Sequence, residues 1–131
     1  MSDQTMEGRI DDYGQPVISL QLSGLEDPVV ALIDTGFNLE FIIYEEHARQ
    51  AQLVIESDIQ IVALADGSQK ELMRSEGIIE WFREQRRVAI LIIPGPAPRH
   101  GRWQIGTQLL RDCRLEIDFR EKSVRLSRQV L

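Results

Sequence analysis

One carboxylate in this sequence is placed where chemistry is expected. Asp34 ends the unbroken apolar run Val29-Val30-Ala31-Leu32-Ile33 and is followed by Thr35 and Gly36. A charge at the mouth of a buried segment is costly unless it is hydrogen-bonded or paired, so the placement calls for a function. A carboxylate can work as a general base on water when ionised, or hydrogen-bond a carbonyl when protonated. Doing both at once takes two carboxylates that share one proton, because like charges in contact cannot both ionise. Such a pair titrates as a unit. Only one Asp-Thr-Gly is present; Asp11-Asp12-Tyr13 and Asp66-Gly67-Ser68 give no second copy on a buried strand. Hydrolysis by this route therefore demands a second chain, with the two Asp34 groups meeting on a two-fold axis. The plain alternative is that Asp34 only caps or turns the chain.

The elements that must hold Asp34 are legible from pattern. Residues 29–33 are short, apolar and β-branched, as a strand buried on both faces would be. Gly36 permits a turn that a side chain would block. Before this strand, Val17 to Leu22 alternates, with Ile18, Leu20 and Leu22 on one face. The two strands make a hairpin that carries Asp34 at its end. Leu39 to Tyr44 reads as a further strand and Glu45 to Leu53 as a helix, acidic at its start. His47 lacks companions at metal-ligand spacing and reads as part of a solvated helix face.

Downstream, two strands at 59–64 and 72–75 flank Ala65-Asp66-Gly67-Ser68, and Asp-Gly between strands is a hairpin signal. Residues 78–82 and 88–93 are two more strands around the basic turn 83–87. The proline-rich segment 94–101 is a loop. Trp103 either packs onto the core or lines a groove. Thr107 to Asp112 suits a short helix with Thr107 as N-cap, and strands at 114–119 and 124–126 close the chain. Residues 1–6 read as a mobile tail. Eight or nine short strands, two short helices and no linker predict one all-β domain over 1–131.

Apolar-apolar-Asp-Thr-Gly followed by Phe37 resembles the active-site loop of the retropepsin-like aspartic proteases, in particular their bacterial and archaeal single-domain type. Ala65-Asp66-Gly67 and Gly106-Thr107-Gln108-Leu109-Leu110 match two further motifs of that family, in order, and the likeness runs from about residue 16 onward. It implies a single-lobe, closed β-barrel with one or two short helices and an endopeptidase active as a homodimer on peptide or protein substrates. Asp34 would be the catalytic carboxylate. Thr35 would reach the partner's loop and the Gly36 N–H would support the carboxylate. Ala65, Asp66, Gly67 and Ser68 would form a mobile flap; by pattern alone they are an ordinary hairpin. Ile105 and Gly106 would pack beside the catalytic loop. Water is the nucleophile, so no metal or cofactor is implied. The sequence departs from the family at Asn38-Leu39-Glu40, where small or polar residues are usual, and at Gln104, where an apolar residue is usual.

Composition narrows the alternatives. At 131 residues, 43% hydrophobic and 27% charged, the chain is long enough for one ordinary core and too apolar for disorder. A net charge of -6 argues against nucleic acid or an anionic membrane as partner. No apolar stretch is long enough to span a bilayer, and the first residues lack a signal core. A lone cysteine, Cys113, excludes an intrachain disulfide and reads as a buried structural thiol, which fits a reducing cytoplasm.

Overall fold

Alternating apolar and polar side chains carry most of this chain through extended structure. The computed structural model describes residues 3–63 and 66–129. In order, the elements are β1 (Asp3–Ile10), β2 (Pro16–Leu20), β3 (Val29–Ile33), β4 (Phe41–Tyr44), α1 (Glu45–Gln50), β5 (Glu56–Ala63), β6 (Gln69–Trp81), β7 (Glu84–Ile93), β8 (Trp103–Ile105), α2 (Thr107–Leu110), β9 (Arg114–Asp118) and β10 (Ser123–Gln129). β1 starts at Asp3, so residues 3–6 are strand and not tail; they pair with the far end of β10, Asp3 opposite Gln129 and Met6 opposite Leu126.

The strands form one sheet in the order β5-β6-β7-β4-β8-β3-β2-β1-β10-β9. Most neighbours are antiparallel. β3 runs parallel to β8, with Ile33 beside Ile105, and β4 parallel to β7, with Phe41 beside Ile90. The expected closed barrel is not what the ladder makes: among the described residues β5 and β9 are its two ends. The sheet does curl back on itself. Leu22, just past β2, forms a lone bridge to Ile79 of β6, and the Ser23 and Glu80 amides bond to the carbonyls of Ile78 and Gln21 at 2.8 and 3.0 Å.

Inside the curl sits the main core, including Ile18, Leu20, Phe41, Ile92, Trp103 and Ile105, all essentially without exposure. Full burial of one such aliphatic side chain is worth about 1.5–3 kcal/mol. Trp103 packs edge-on to Phe41 at 5.4 Å between centroids, which settles its place in the core. β3 is buried on one face only: Ala31 and Ile33 point inward, whereas Leu32 is half-exposed.

Three local details differ from expectation. The turn between β6 and β7 is two residues long. Phe82 and Arg83 both have left-handed φ, +52° and +65°, as a type I′ hairpin requires. Phe82 lacks the usual Asn or Gly chemistry; burial, the Arg128 guanidinium 4.6 Å over its ring and an N–H bond to Met6 Sδ at 3.2 Å hold it there. The N-cap of α2 is Gly106, not Thr107. His47 is no solvated helix residue: its Nδ1 accepts the Trp103 indole N–H at 2.9 Å. The neighbouring Glu45 and Glu46 carboxylates accept the Gly95 and Ala97 amides at 2.9 and 3.2 Å, tying the proline-rich loop to α1. Cys113 is half-buried, and burial pushes its thiol above the usual pKa. Among the described residues, no helix is long and apolar enough to cross a membrane.

Candidate active site

Asp34 is fixed by its backbone before its side chain is considered. β3 ends at Ile33, and the Asp34 N–H bonds to the Ile105 carbonyl of β8 at 3.0 Å. The Asp34 carbonyl accepts the Phe37 N–H at 3.1 Å, which closes a tight turn. Within that turn the Gly36 N–H reaches Asp34 Oδ1 at 3.0 Å, a charge-assisted bond that orients the carboxylate. Asp34 is half-buried, whereas Thr35 and Gly36 are exposed. Gly36 is not required for its backbone path, since its φ is not left-handed; an added Cβ would meet only Asp34 Oδ1, at 3.3 Å. A side chain there would need that oxygen to give way by only a few tenths of an ångström.

The turn is braced from below. The Gly106 N–H bonds to the Glu40 carbonyl at 3.0 Å and the Thr107 N–H to the Phe37 carbonyl at 2.8 Å. A Cβ on Gly106 would fall on the carbonyl oxygens of Leu39 and Phe37, so glycine is needed there for close backbone approach. Glu40, which stood out in the sequence only as part of the Asn38-Leu39-Glu40 departure, adds a second brace. Its carboxylate accepts the Ala89 N–H at 3.1 Å and lies 3.7 Å from the Arg86 guanidinium, extending the β4–β7 pairing by one position. That departure and its place just before an apolar strand were the available signals.

A second apolar cluster lies on the outer face of the sheet beside this turn. Phe37, Ile42, Leu72 and Leu91 are buried in it, with Leu39, Val62 and Ile93 packed around. Val62 and Leu72 come from the β5–β6 hairpin, so the hairpin and the Asp34 turn share one cluster. At the hairpin tip Gly67 has φ +87°. The Asp66 carboxylate accepts the Ser68 hydroxyl at 2.6 Å and its N–H at 2.9 Å. Those bonds, the hydroxyl first, hold Asp66 below the usual carboxylate range. Ala65 lies outside the described residues.

The structure thus brings Asp34, Thr35, Gly36, Ile105 and Gly106 into one unit, and places Asp66, Gly67 and Ser68 apart at an exposed tip. No family model and no curated protein matches the chain. Solved structures do. A retropepsin-like aspartic protease from Rickettsia conorii superimposes with a TM-score of 0.67 over 97% of this chain and 92% of that one, at 11% identity. The EIAV protease in complex with the inhibitor HBY-793 gives 0.58 over 75% of this chain and 86% of that one, at 15% identity. The chain has a retropepsin-like fold. In that fold the Asp34 turn rests on β8 and the Gly106 brace and shares one apolar cluster with the β5–β6 hairpin.

Proposed function

We propose that the protein is an aspartic endopeptidase in which two Asp34 carboxylates, one from each chain of a homodimer, activate a water against a peptide bond. The observation that carries this reading is the Asp34 turn itself. Its carboxylate is oriented by the Gly36 N–H, its backbone is anchored on β8, and its outer residues are exposed, all within a retropepsin-like fold. In this reading the ionised carboxylate takes a proton from water and the protonated one donates to the substrate carbonyl. Thr35 supports the partner's loop, and the hairpin tip at Asp66–Ser68 closes over the substrate. A peptide would lie beside the half-buried Leu39, at the edge of the cluster that encloses Phe37 and Ile42.

The test is cleavage of a diverse peptide pool by the parent and by Asp34→Asn. The parent should cut with a bell-shaped pH dependence, since one carboxylate must be ionised and the other protonated. The variant should lose cleavage and keep its thermal midpoint. Equal cleavage by the two proteins would remove the assignment. A second reading, peptide binding without cutting, is supported by β5: it is an end strand whose Ile59 and Ile61 are exposed, a surface suited to strand addition. Retention of peptides without products would select it.

A further inference from the structure

Along one edge, β6 changes partner part-way. Its first half pairs with β5, where Arg74 faces Glu56. Further on, Ile78 and Glu80 bond to Ser23 and Gln21, just past β2, at 2.8 and 3.0 Å. Glu76 lies between the two. It stands opposite Ala89 of β7, whose N–H is turned away to the Glu40 carboxylate. In antiparallel register this is a pair without mutual hydrogen bonds, so the Glu76 N–H and carbonyl also point away from β7, into the break. Among the described residues neither has a strand partner there. The carbonyl meets only the Ser75 hydroxyl, at 3.4 Å, and that hydroxyl donates to the Val54 carbonyl at 2.6 Å.

The break opens into a cavity of about 520 Å³, within the usual size of small-ligand sites. One wall depends on Gly24: its φ is +101° and an added Cβ would fall 2.6 Å from the Ala51 carbonyl oxygen, so glycine lets the turn after β2 close against the end of α1. Leu53, Val54 and Ile78 make an apolar side, and Glu56, Glu76 and Arg87 lie along the rim. The Arg87–Glu76 pair is loose, at 3.5 Å with both side chains mostly exposed. None of these residues belongs to the Asp34 turn or to the cluster beside it. The break is short. Strand residues rise about 3.3 Å each, so Glu56 and Ser23, facing positions four residues apart on β6, leave room in line for only one residue with free ends. A free α-amino acid is such a residue. It carries an amine donor and a carboxylate acceptor on one carbon, the complement of one strand position, and the rim offers both signs of charge.

We propose that this cavity is a binding site for a free α-amino acid with an apolar side chain. The ligand carboxylate accepts the Glu76 N–H, its amine donates to the Glu76 carbonyl, and its side chain lies against Leu53, Val54 and Ile78. Arg87 adds a counter-charge for the carboxylate, and Glu56 and Glu76 for the amine. The site does not depend on the endopeptidase reading. Calorimetric titration of the full chain at neutral pH tests it with L-leucine and three relatives that each lack one part: glycine without the side chain, isoamylamine without the carboxylate and 4-methylpentanoate without the amine. L-Leucine should bind, and loss of either charged group should weaken binding about tenfold or more, the worth of a charge-assisted hydrogen bond. Amide exchange followed by NMR should slow at Glu76 when L-leucine is added. Arg87→Glu, a change to an exposed side chain, should weaken binding to a similar degree, and Glu76→Pro, which removes the N–H at a position where the ladder does not use it, should abolish it. Melting curves check that both variants are folded. Equal affinity for L-leucine and isoamylamine would overturn the proposal, as would binding that leaves exchange at Glu76 unchanged. So would the absence of any binding by the parent, which needs no variant to observe.

Discussion

At the scale of single residues, two glycines near Asp34 do different work. Gly106 sits where any Cβ would strike the carbonyls of Leu39 and Phe37. Gly106→Ala must push the Asp34 turn away from β8, and overpacking of this kind costs about 1–3 kcal/mol. Gly36→Ala adds a methyl beside the carboxylate alone, so it should shift stability by less than about 1 kcal/mol. Thermal melts of the two variants check the contrast; equal losses would mean that the brace is not where the strain falls. Asp34 could be picked out in the sequence because a carboxylate ending an apolar run is unusual. Gln104 was visible as a departure from pattern, but which way it faced was not. That depended on the parity of β8, fixed by the burial of Trp103 and Ile105.

Among the elements, strands were legible wherever alternation was clean, as in β2, β9 and β10. What holds two features in place was not, for a physical reason. The β6–β7 turn is set by tertiary contacts on Phe82 and not by turn-forming residues. The proline-rich loop is held by carboxylates about fifty residues away, in α1. The β1–β2 connection is held by similar means. Asp11 accepts the N–H groups of Tyr13 and Gln15 at 2.9 and 3.0 Å and pairs with Arg102 just before β8. Burial works against its charge, but the Gln15 and Tyr13 donors and then Arg102 and Arg9 outweigh it, and its pKa lies below the usual value. A carboxylate depressed in the folded state stabilises it at neutral pH, and that contribution is lost as pH falls through the folded value. Asp11→Asn should therefore be less stable than the parent at pH 7. The gap should narrow as pH drops below about 4, the ordinary Asp range. Denaturant titrations at both pH values measure it, and a gap that widened in acid would contradict the sign.

For the whole molecule, the proposed chemistry makes association the controlling variable. One chain supplies one Asp-Thr-Gly, so cleavage per chain should fall on dilution, in proportion to protein concentration well below the dissociation constant, the total rate then following its square. Sedimentation over the same range should show the dimer disappearing in step. A protein fully active while strictly monomeric would rule out the shared pair. Folding and association can be followed separately, because the chain carries its own gauge. Its two tryptophans, Trp81 and Trp103, are both fully enclosed, one at the end of β6 and one hydrogen-bonded to His47. Their fluorescence will report loss of the interior and stay constant when two intact copies meet. A dilution series in which activity fades while emission holds its colour would isolate the encounter itself.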